Sequence, residues 1–449
     1  MKYTFEELNN EINRRLSEDD TYLSSGNSYI KIFQHGLVYA LMESHVKPLK
    51  PYFNLPIFLQ KIMFKRGKKN TTPSFVLKEN VILDSGIPLN NESKDTSFFF
   101  NKIISELGSN VSTINLNPER GLKCDFNIHQ LTDTKINFDE TLNSKLIEVN
   151  DVYSKLQRSS LYSSLEKAYI SSALHVFFHT FLRYYSVLRS QNVKRVYLTV
   201  HYNNEGIIGA AQSCGIEVIE MQHGLIHPLD LYYCYNKNLA PRLKKGYFPD
   251  RILLFGEYWK SVLLKGGEWE PSQLEIIGSV LPTHRSVNKS SEKTNTILIG
   301  SQKLMTEQYI PRIRQLLKTI ENYPDWKIIL KLHPLEKEVD KYQALKHPQL
   351  EIAPLASDLS DLLSRCKIQI SVYSTTFYDA AGFDVMNFSW QGDGFGSDYA
   401  RFMVAEGIAE ALTSDEDPIE KYNTLISNHY SFLKRSAFYA PFNHEIIVK

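Results

Sequence analysis

The second half of the chain alternates short apolar runs with longer amphipathic stretches. Before these runs, the segment Ser160–Ser190 is strongly apolar, and its apolar residues recur with a helical period. This pattern predicts a long buried helix. Because helical patterns of about ten to fifteen residues separate the later apolar runs, we predict right-handed βαβ units and parallel sheets covered on both faces. Strands are expected at Arg195–Val200, Glu217–Met221, Arg251–Phe255, Leu274–Ile277, Ile297–Ile299, Lys327–Leu332, Leu350–Ala353, Ile368–Tyr373 and Met386–Trp390.

A loop rich in Ser, Asn and Lys interrupts this alternation at Ser286–Thr296 and is typical of a linker. The predicted fold class is therefore α/β, with two Rossmann-like lobes whose parallel sheets face each other across a central cleft. We expect the first lobe at residues 1–285 and the second at residues 286–449, with a C-terminal helix that can return to the first lobe. The first 150 residues carry only weak patterns.

Charge and cysteine content narrow the classes of function. The chain has 51 basic and 50 acidic residues, so no overall field is available to hold a polyanion, and no nucleic-acid partner is expected. The four cysteines lie far apart without metal-ligand spacing, which argues against a disulfide framework and a structural zinc site. The charged N-terminus lacks the apolar core of a secretory signal, and a cytoplasmic location is expected.

One basic segment, residues 47–69, suggests contact with a membrane. It has seven basic and no acidic residues, interleaved with Pro, Phe, Leu, Ile and Met. Such a segment can lie peripherally on the anionic inner face of the cytoplasmic membrane, where each cation contributes about 1 kcal/mol. The alternative is a helix whose apolar side packs on its own domain, and prolines interrupt its face.

Small and chemically active residues follow many of the predicted strands. Ligands of open parallel sheets bind beyond the carboxyl ends of the strands, so these residues are expected to line one shared cleft. They are Gln222, His223 and Gly224, then Gly256 and Glu257, Gly300, Ser301 and Gln302, His333 and Pro334, Ser374, Thr375 and Thr376, and the run from Gln391 to Gly394.

Two of these groups have the chemistry of phosphate binding. Ser374–Thr376 opens a predicted helix after a strand and would present free N–H groups to an anion, although Ser374 could simply cap that helix. His333 is held in extended backbone by Pro334, and Lys331 lies on the same side of the strand, so both could face a phosphate. The alternative for His333 is a buried, hydrogen-bonded spacer.

His223 is the candidate general base. It lies between Gln222 and a glycine that lets a ligand approach closely, and His227 or Asp230 on the same loop could hold its second ring nitrogen. The alternative is a structural histidine in a turn at the end of a strand.

Several well-known motifs are absent from the sequence. It contains no GxGxxG, no GxxxxGK[ST] and no GxSxG, which removes the phosphate loops of dinucleotide oxidoreductases and P-loop NTPases and the usual esterase elbow. We interpret the acidic pair Asp415 and Asp417 as residues that stabilise the N-terminus of a helix. The sequence predicts no required metal.

The order of the motifs resembles a known family. ExQHG at 220–224, FGEYW at 255–259, GSQ at 300–302, KLHP at 331–334 and YSTTFYDA at 373–380 resemble bacterial surface-polysaccharide glycosyltransferases of the GT-B fold, which has two Rossmann-like lobes. The pattern is most similar to the bacterial sialyltransferases and to capsule-type transferases that carry QHG. The resemblance spans Val196–Trp390 and implies an acceptor site in the first lobe and a nucleotide-sugar site in the second.

The resemblance also implies roles for individual residues. In the sialyltransferases the HP histidine and the Ser/Thr pair contact the donor phosphate, which implies His333, Ser374 and Thr375 here. Those enzymes use an acidic base from a D/E-D/E-G motif, whereas this chain has QHG, so either His223 or Glu220 must deprotonate the acceptor. CDP-glycerol-type polymer transferases use the histidine of an HG motif, which favours His223.

The predicted function is inverting, metal-independent transfer of a sugar to a surface glycan or lipid-linked acceptor. The preferred donor is a CMP-activated nonulosonate, such as a sialic-acid-like sugar or Kdo, and no cofactor is expected. The departing nucleotide would be stabilised by His333, Lys331 and Ser374–Thr376. Asp379 would bind a hydroxyl of the ribose or of the donor sugar. The alternatives are a CDP-glycerol or polyol-phosphate transferase, a hexosyltransferase using UDP- or GDP-sugar, a nucleotide-sugar epimerase and a non-catalytic assembly subunit. Oligomeric state stays open.

Overall fold

The computed structural model describes most of the chain outside several loops. The described residues are 4–24, 27–41, 75–84, 100–116, 124–127, 136–234, 239, 246–266, 269–278, 293–302, 305–333, 336, 339–355, 357–393 and 396–448. The basic segment 47–69, Pro334 and most of the predicted linker lie outside them.

The chain forms two compact units. One comprises Glu6–Val280 and Ala440–Lys449, and the other comprises Lys2–Phe5 and Leu281–Tyr439. The last ten residues therefore belong to the unit formed by the first half of the chain.

The first unit contains a seven-stranded sheet in the order β5-β4-β3-β6-β7-β8-β9 and a two-stranded antiparallel pair, β1-β2. Every neighbouring pair in the large sheet is parallel. The strands are β1 Leu23–Ser24, β2 Asn27–Ser28, β3 Asn80–Asp84, β4 Val111–Asn115, β5 Phe126–Asn127, β6 Arg195–Leu198, β7 Glu217–Met221, β8 Arg251–Leu254 and β9 Leu274–Ile276.

Helices of this unit pack closely around the apolar helix predicted at 160–190. That helix is α5, and a capping box between Ser163 and Glu166 fixes its start. A Cβ on Gly36 would lie 2.6 Å from the Ile170 Cα, so only glycine lets α2 (Ile30–Leu41) approach α5 (Ser164–Leu188). The helices are α1 Phe5–Glu18, α2 Ile30–Leu41, α3 Asn101–Leu107, α4 Glu140–Arg158, α5 Ser164–Leu188, α6 Glu205–Ser213 and α7 Glu257–Gly266.

The second unit contains a six-stranded parallel sheet in the order β12-β11-β10-β13-β14-β15. Its strands are β10 Thr296–Gly300, β11 Lys327–Lys331, β12 Leu350–Ala353, β13 Ile368–Ser371, β14 Met386–Trp390 and β15 Glu410–Leu412. Its helices are α8 Thr306–Ile320, α9 Val339–Gln343, α10 Leu359–Arg365, α11 Thr376–Asp379, α12 Ser397–Ala405 and α13 Pro418–Ser427. A last helix, α14, spans Glu445–Val448 in the first unit.

The strand order of the second sheet is that of the doubly wound Rossmann fold, and the first sheet has the same order with one more strand at one edge. The predicted fold class of two Rossmann-like α/β lobes is therefore confirmed. The interpretation of Asp417 is also confirmed, because its carboxylate accepts hydrogen bonds from the Ile419 and Glu420 backbone N–H groups at the start of α13. None of the helices in the described part of the chain has the length and apolar character needed to span a bilayer.

Candidate functional site

His223 follows β7 in the first unit and is half-buried. Its Nδ1 atom is buried. The Tyr202 hydroxyl lies 3.4 Å from Nε2, and the ring is also hydrogen bonded to the Thr199 backbone. Burial lowers the pKa of His223 below its ordinary value, so the ring is neutral at neutral pH and can accept a proton.

The two predicted partners on the loop, His227 and Asp230, both contact the backbone of their own loop. His227 is fully buried, and its Nδ1 accepts the Leu229 backbone N–H at 2.9 Å. Asp230 accepts the Tyr232 backbone N–H at 2.9 Å. The loop therefore folds into side-chain-to-backbone turns of its own, and the role of His227 or Asp230 in orienting His223 stays a prediction.

Glu220, the alternative base, lies in the protein core. Its exposed fraction is 0%, and its two carboxylate oxygens contact different partners. His201 Nδ1 lies 2.5 Å from Oε2, and the Tyr233 hydroxyl donates to Oε1. A carboxylate enclosed in this way has no path to an acceptor hydroxyl, which counts against Glu220 as the base.

The other residues predicted around His223 divide into structural and exposed positions. Gln222 is buried, donates to the Gly224 carbonyl at 2.9 Å and accepts the Phe255 N–H at 2.8 Å, so it ties the turn to the end of β8. Gly256 is buried and Glu257 is exposed at the start of α7. Gln222 therefore has a structural role, and its amide is already committed.

In the second unit, residues predicted from separate strands come together. The chain reverses its winding direction between β10 and β13, which is where ligands bind in doubly wound sheets. Ser301 follows β10, and its hydroxyl accepts the His333 backbone N–H at 3.0 Å. On the other side of the switch, the Thr376 hydroxyl donates to Ser374 Oγ at 2.9 Å, and a Cβ on Gly300 would lie 3.7 Å from Thr376 Oγ1.

The helix expected to open at Ser374–Thr376 is only the single turn Thr376–Asp379. Ser374 Oγ accepts the Thr376 N–H at 3.2 Å, so Ser374 does make the local turn contact that its alternative interpretation requires. Thr375 is exposed. One turn sums few peptide dipoles, so an anion at this edge would depend on hydroxyl and backbone N–H groups more than on a helix dipole.

Two predicted donor residues are engaged elsewhere. The Lys331 ammonium donates to the Pro354 and Leu355 carbonyls, on the β12 side of its strand rather than beside the switch point. The Asp379 carboxylate accepts the Tyr439 hydroxyl at 3.1 Å. Gln302, the last residue of its motif, is half-buried next to Ser301.

The sequence reasoning missed residues that lie near His223 or near Glu220. His201 and Tyr202 follow β6, the strand next to β7, and their position after a strand was the signal that could have identified them. Lys31 on α2 is 1% exposed, with its ammonium 3.9 Å from the centre of the Phe248 ring, and burial lowers its pKa to about 8. Nothing in the local pattern of α2 marks Lys31 as buried.

The chain therefore carries two Rossmann-like α/β units, each with its own parallel sheet. No protein-family model matches the chain, and no curated protein matches it in sequence. Among the groups of His, Cys, Asp and Glu in the described ranges, none has the arrangement of three or more ligands that could hold a metal ion.

Solved structures similar to this chain have low sequence identity. UDP-GlcNAc 2-epimerase from Neisseria meningitidis bound to UDP-GlcNAc is 15% identical, with a TM-score of 0.44 over 82% of this chain and 98% of that chain. S. aureus MnaA with UDP is 12% identical, with a TM-score of 0.48 over 82% and 95%. Acinetobacter baumannii MurG is 13% identical, with a TM-score of 0.44 over 83% and 94%. This likeness decides neither the reaction nor the substrate.

Proposed function

We propose that this protein is a glycosyltransferase that uses a nucleotide-sugar donor. The observation that carries the proposal is the cluster of Gly300, Ser301, His333, Ser374 and Thr376 at the switch point of the second sheet. Hydroxyl and N–H groups at the carboxyl ends of parallel strands suit the phosphate and ribose of a nucleotide. A neutral histidine after a strand of the first sheet supplies the base that transfer requires.

In the proposed reaction, the acceptor oxygen attacks the anomeric carbon while His223 Nε2 takes its proton. The bond between that carbon and the nucleotide phosphate oxygen breaks, and the nucleotide leaves with the electron pair. Attack opposite the leaving group inverts the anomeric configuration. The donor groups at the switch point would stabilise the charge that grows on the departing phosphate.

The preferred donor is a CMP-activated nonulosonate, and the acceptor is a surface glycan or a lipid-linked glycan. Support for the donor comes from the sequence motifs that carry the HP histidine and the Ser-Thr pair. Product analysis separates the alternatives. Only glycosyl transfer creates a new anomeric bond, a polyol-phosphate transferase would create a phosphodiester, and an epimerase would convert its substrate without an acceptor.

Nucleotide binding can be measured by thermal shift with CMP, CDP, UDP and GDP, each with and without Mg²⁺. We expect CMP to raise the unfolding temperature most, without a requirement for metal, because a bound ligand stabilises the native state by RT ln(1+[L]/Kd). Ser374→Ala should weaken CMP binding about tenfold through loss of a hydrogen bond to a charged group. Ser427→Ala, an exposed serine on α13, is the matched control. A preference for CDP, or for UDP or GDP, would replace the CMP assignment, and no stabilisation by any nucleotide would contradict the proposal.

The pH dependence of kcat/KM should show one basic group. The base must be unprotonated, and burial lowers the pKa of His223 from its ordinary value of 6.5. Activity should therefore be constant through neutral pH and fall only as the pH drops through that lowered pKa, by about tenfold per pH unit. Initial rates across the pH range, with stability checked at each pH, measure this. If kcat/KM already fell above pH 7 as the pH was lowered, that result would be inconsistent with a neutral, buried His223.

A further inference from the structure

His201 lies in the core of the first unit, and both of its ring nitrogens contact oxygen acceptors. Nδ1 is 2.5 Å from Glu220 Oε2, and Nε2 is 2.8 Å from the Tyr232 carbonyl oxygen. Because a carbonyl oxygen only accepts, Nε2 must carry an N–H. At Nδ1 the ring contacts the Glu220 carboxyl group, so one imidazole bridges two oxygen atoms of different elements.

His201 contacts the backbone carbonyl of Tyr232. The side chain of Tyr232 stacks on Tyr202, which in turn contacts His223. The Tyr232 ring stacks on the Tyr202 ring, with centroids 4.5 Å apart and an interplanar angle of 22°. The Tyr202 hydroxyl lies 3.4 Å from His223 Nε2. A continuous set of contacts therefore leads from the Glu220–His201 pair through Tyr232 and Tyr202 to the ring of His223.

We propose that His201 is a positioning residue that fixes the tautomer and orientation of His223. By holding the Tyr232 carbonyl it supports the stack that brings the Tyr202 hydroxyl to Nε2. A hydroxyl that donates there, together with the contact between the ring and the Thr199 backbone, favours the neutral ring protonated at Nδ1. The contact to Nε2 is longer than a typical hydrogen bond, so an acceptor hydroxyl can replace it. This inference rests on the proposed role of His223 as the base, because only that tautomer leaves Nε2 able to take a proton.

Histidine is suited to this position because its two nitrogens point in different directions. One ring bridges an acceptor on β7 and an acceptor on the following loop. A glutamine offers both of its N–H donors from one nitrogen and would keep only one of the two contacts. His201→Gln loses one of the two contacts without introducing a charge. Either loss breaks the bridge that anchors the Tyr232 carbonyl to Glu220, so the carbonyl is no longer held in place.

The test is nitrogen NMR of protein labelled with ¹⁵N-histidine at pH 8, where His223 is neutral. Loss of signals in His223→Ala assigns that ring. Wild-type protein should show His223 as one tautomer, protonated at Nδ1. In His201→Gln the two nitrogen shifts should move toward each other, because the ring then samples both tautomers. Turnover of the same variant should fall about 10- to 100-fold, with KM changed less than about twofold, because the base is misplaced and ground-state binding is retained.

Two further variants keep the proposal falsifiable. Tyr202→Phe removes only the hydroxyl at the end of the contacts and should reproduce the averaging of the His223 shifts. The last contact of the set, which the role of His201 requires, can therefore be tested even if His201→Gln does not fold. Glu148→Gln disturbs a buried pair elsewhere in the unit, where Lys145 Nζ lies 2.7 Å from Glu148 Oε2, and should leave the His223 signals unchanged.

A His223 tautomer that is unchanged in His201→Gln or in Tyr202→Phe would overturn the positioning role. The NMR measurement needs no substrate. A complete lack of transferase activity would therefore contradict the proposed function, whereas an unchanged spectrum would contradict this inference.

Discussion

His223→Ala should lower kcat by about 10²–10⁴ and leave the affinity for nucleotide within about twofold of wild type. The alanine removes the proposed proton acceptor after β7, whereas the groups expected to hold the nucleotide belong to the other unit. Loss of a general base affects the transition state and not the bound ground state. Steady-state kinetics with a saturating donor, together with nucleotide titration by calorimetry, measure the two effects separately.

The matched control is His444→Ala, which makes the same change at an exposed histidine near the C-terminus. It should leave both kcat and nucleotide affinity unchanged. Turnover of His223→Ala equal to that of the control would remove His223 from the mechanism. A large loss of nucleotide affinity in His223→Ala would instead assign His223 to donor binding.

Glu220→Ala should destabilise the protein by about 3–5 kcal/mol, the usual cost of removing one partner from a buried, hydrogen-bonded pair. The carboxylate is fully buried, and its loss leaves His201 Nδ1 and the Tyr233 hydroxyl without their acceptor. Glu220→Gln should cost less, because an amide oxygen can still accept one of these contacts. Chemical denaturation of both variants, with the m-value checked for a change in cooperativity, gives the comparison.

Glu257→Ala is the corresponding control, since Glu257 also follows a strand of the first sheet but is exposed. Its free energy of unfolding should change by no more than about 0.5 kcal/mol. The opposite pattern would make Glu220 the base: normal stability in Glu220→Gln, combined with a loss of turnover as large as that expected for His223→Ala.

Periodicity in the sequence was enough to predict the α/β class and most strands from residue 195 onward. The observed bounds of β7, β12 and β14 are the predicted ones. β7 and β14 are almost entirely buried, whereas β12 is a half-exposed strand at the edge of its sheet. The region before residue 150 was not legible, because β3 and β4 are five residues each and are separated by polar loops. Their pairing in the sheet depends on partners far away in the sequence, which a local pattern does not contain.

The sequence was sufficient to locate the ends of most strands, but it predicted few of the contacts between side chains. Ser301 and His333 were both predicted from their position after a strand, and they are joined across β10 and β11. Lys331 shows the limit of this reasoning, since alternation along a strand assigns its side but not the partner that its ammonium finds. His201 was missed for the related reason that its importance comes from an acid nineteen positions away along the chain.

The return of the chain's last ten residues to the first unit affects how the protein can be made. The Ala440 N–H donates to the Phe255 carbonyl, and the Asn443 N–H donates to the Ile277 carbonyl, so the C-terminal segment joins the chain just after β8 and β9. Gly278 admits this segment, because its φ is +82° and a Cβ would lie 2.1 Å from the Pro441 carbonyl oxygen. During synthesis on the ribosome this edge therefore stays incomplete until residues 440–449 have emerged. Cleavage of the chain between the two units would separate the first unit from a piece of its own structure.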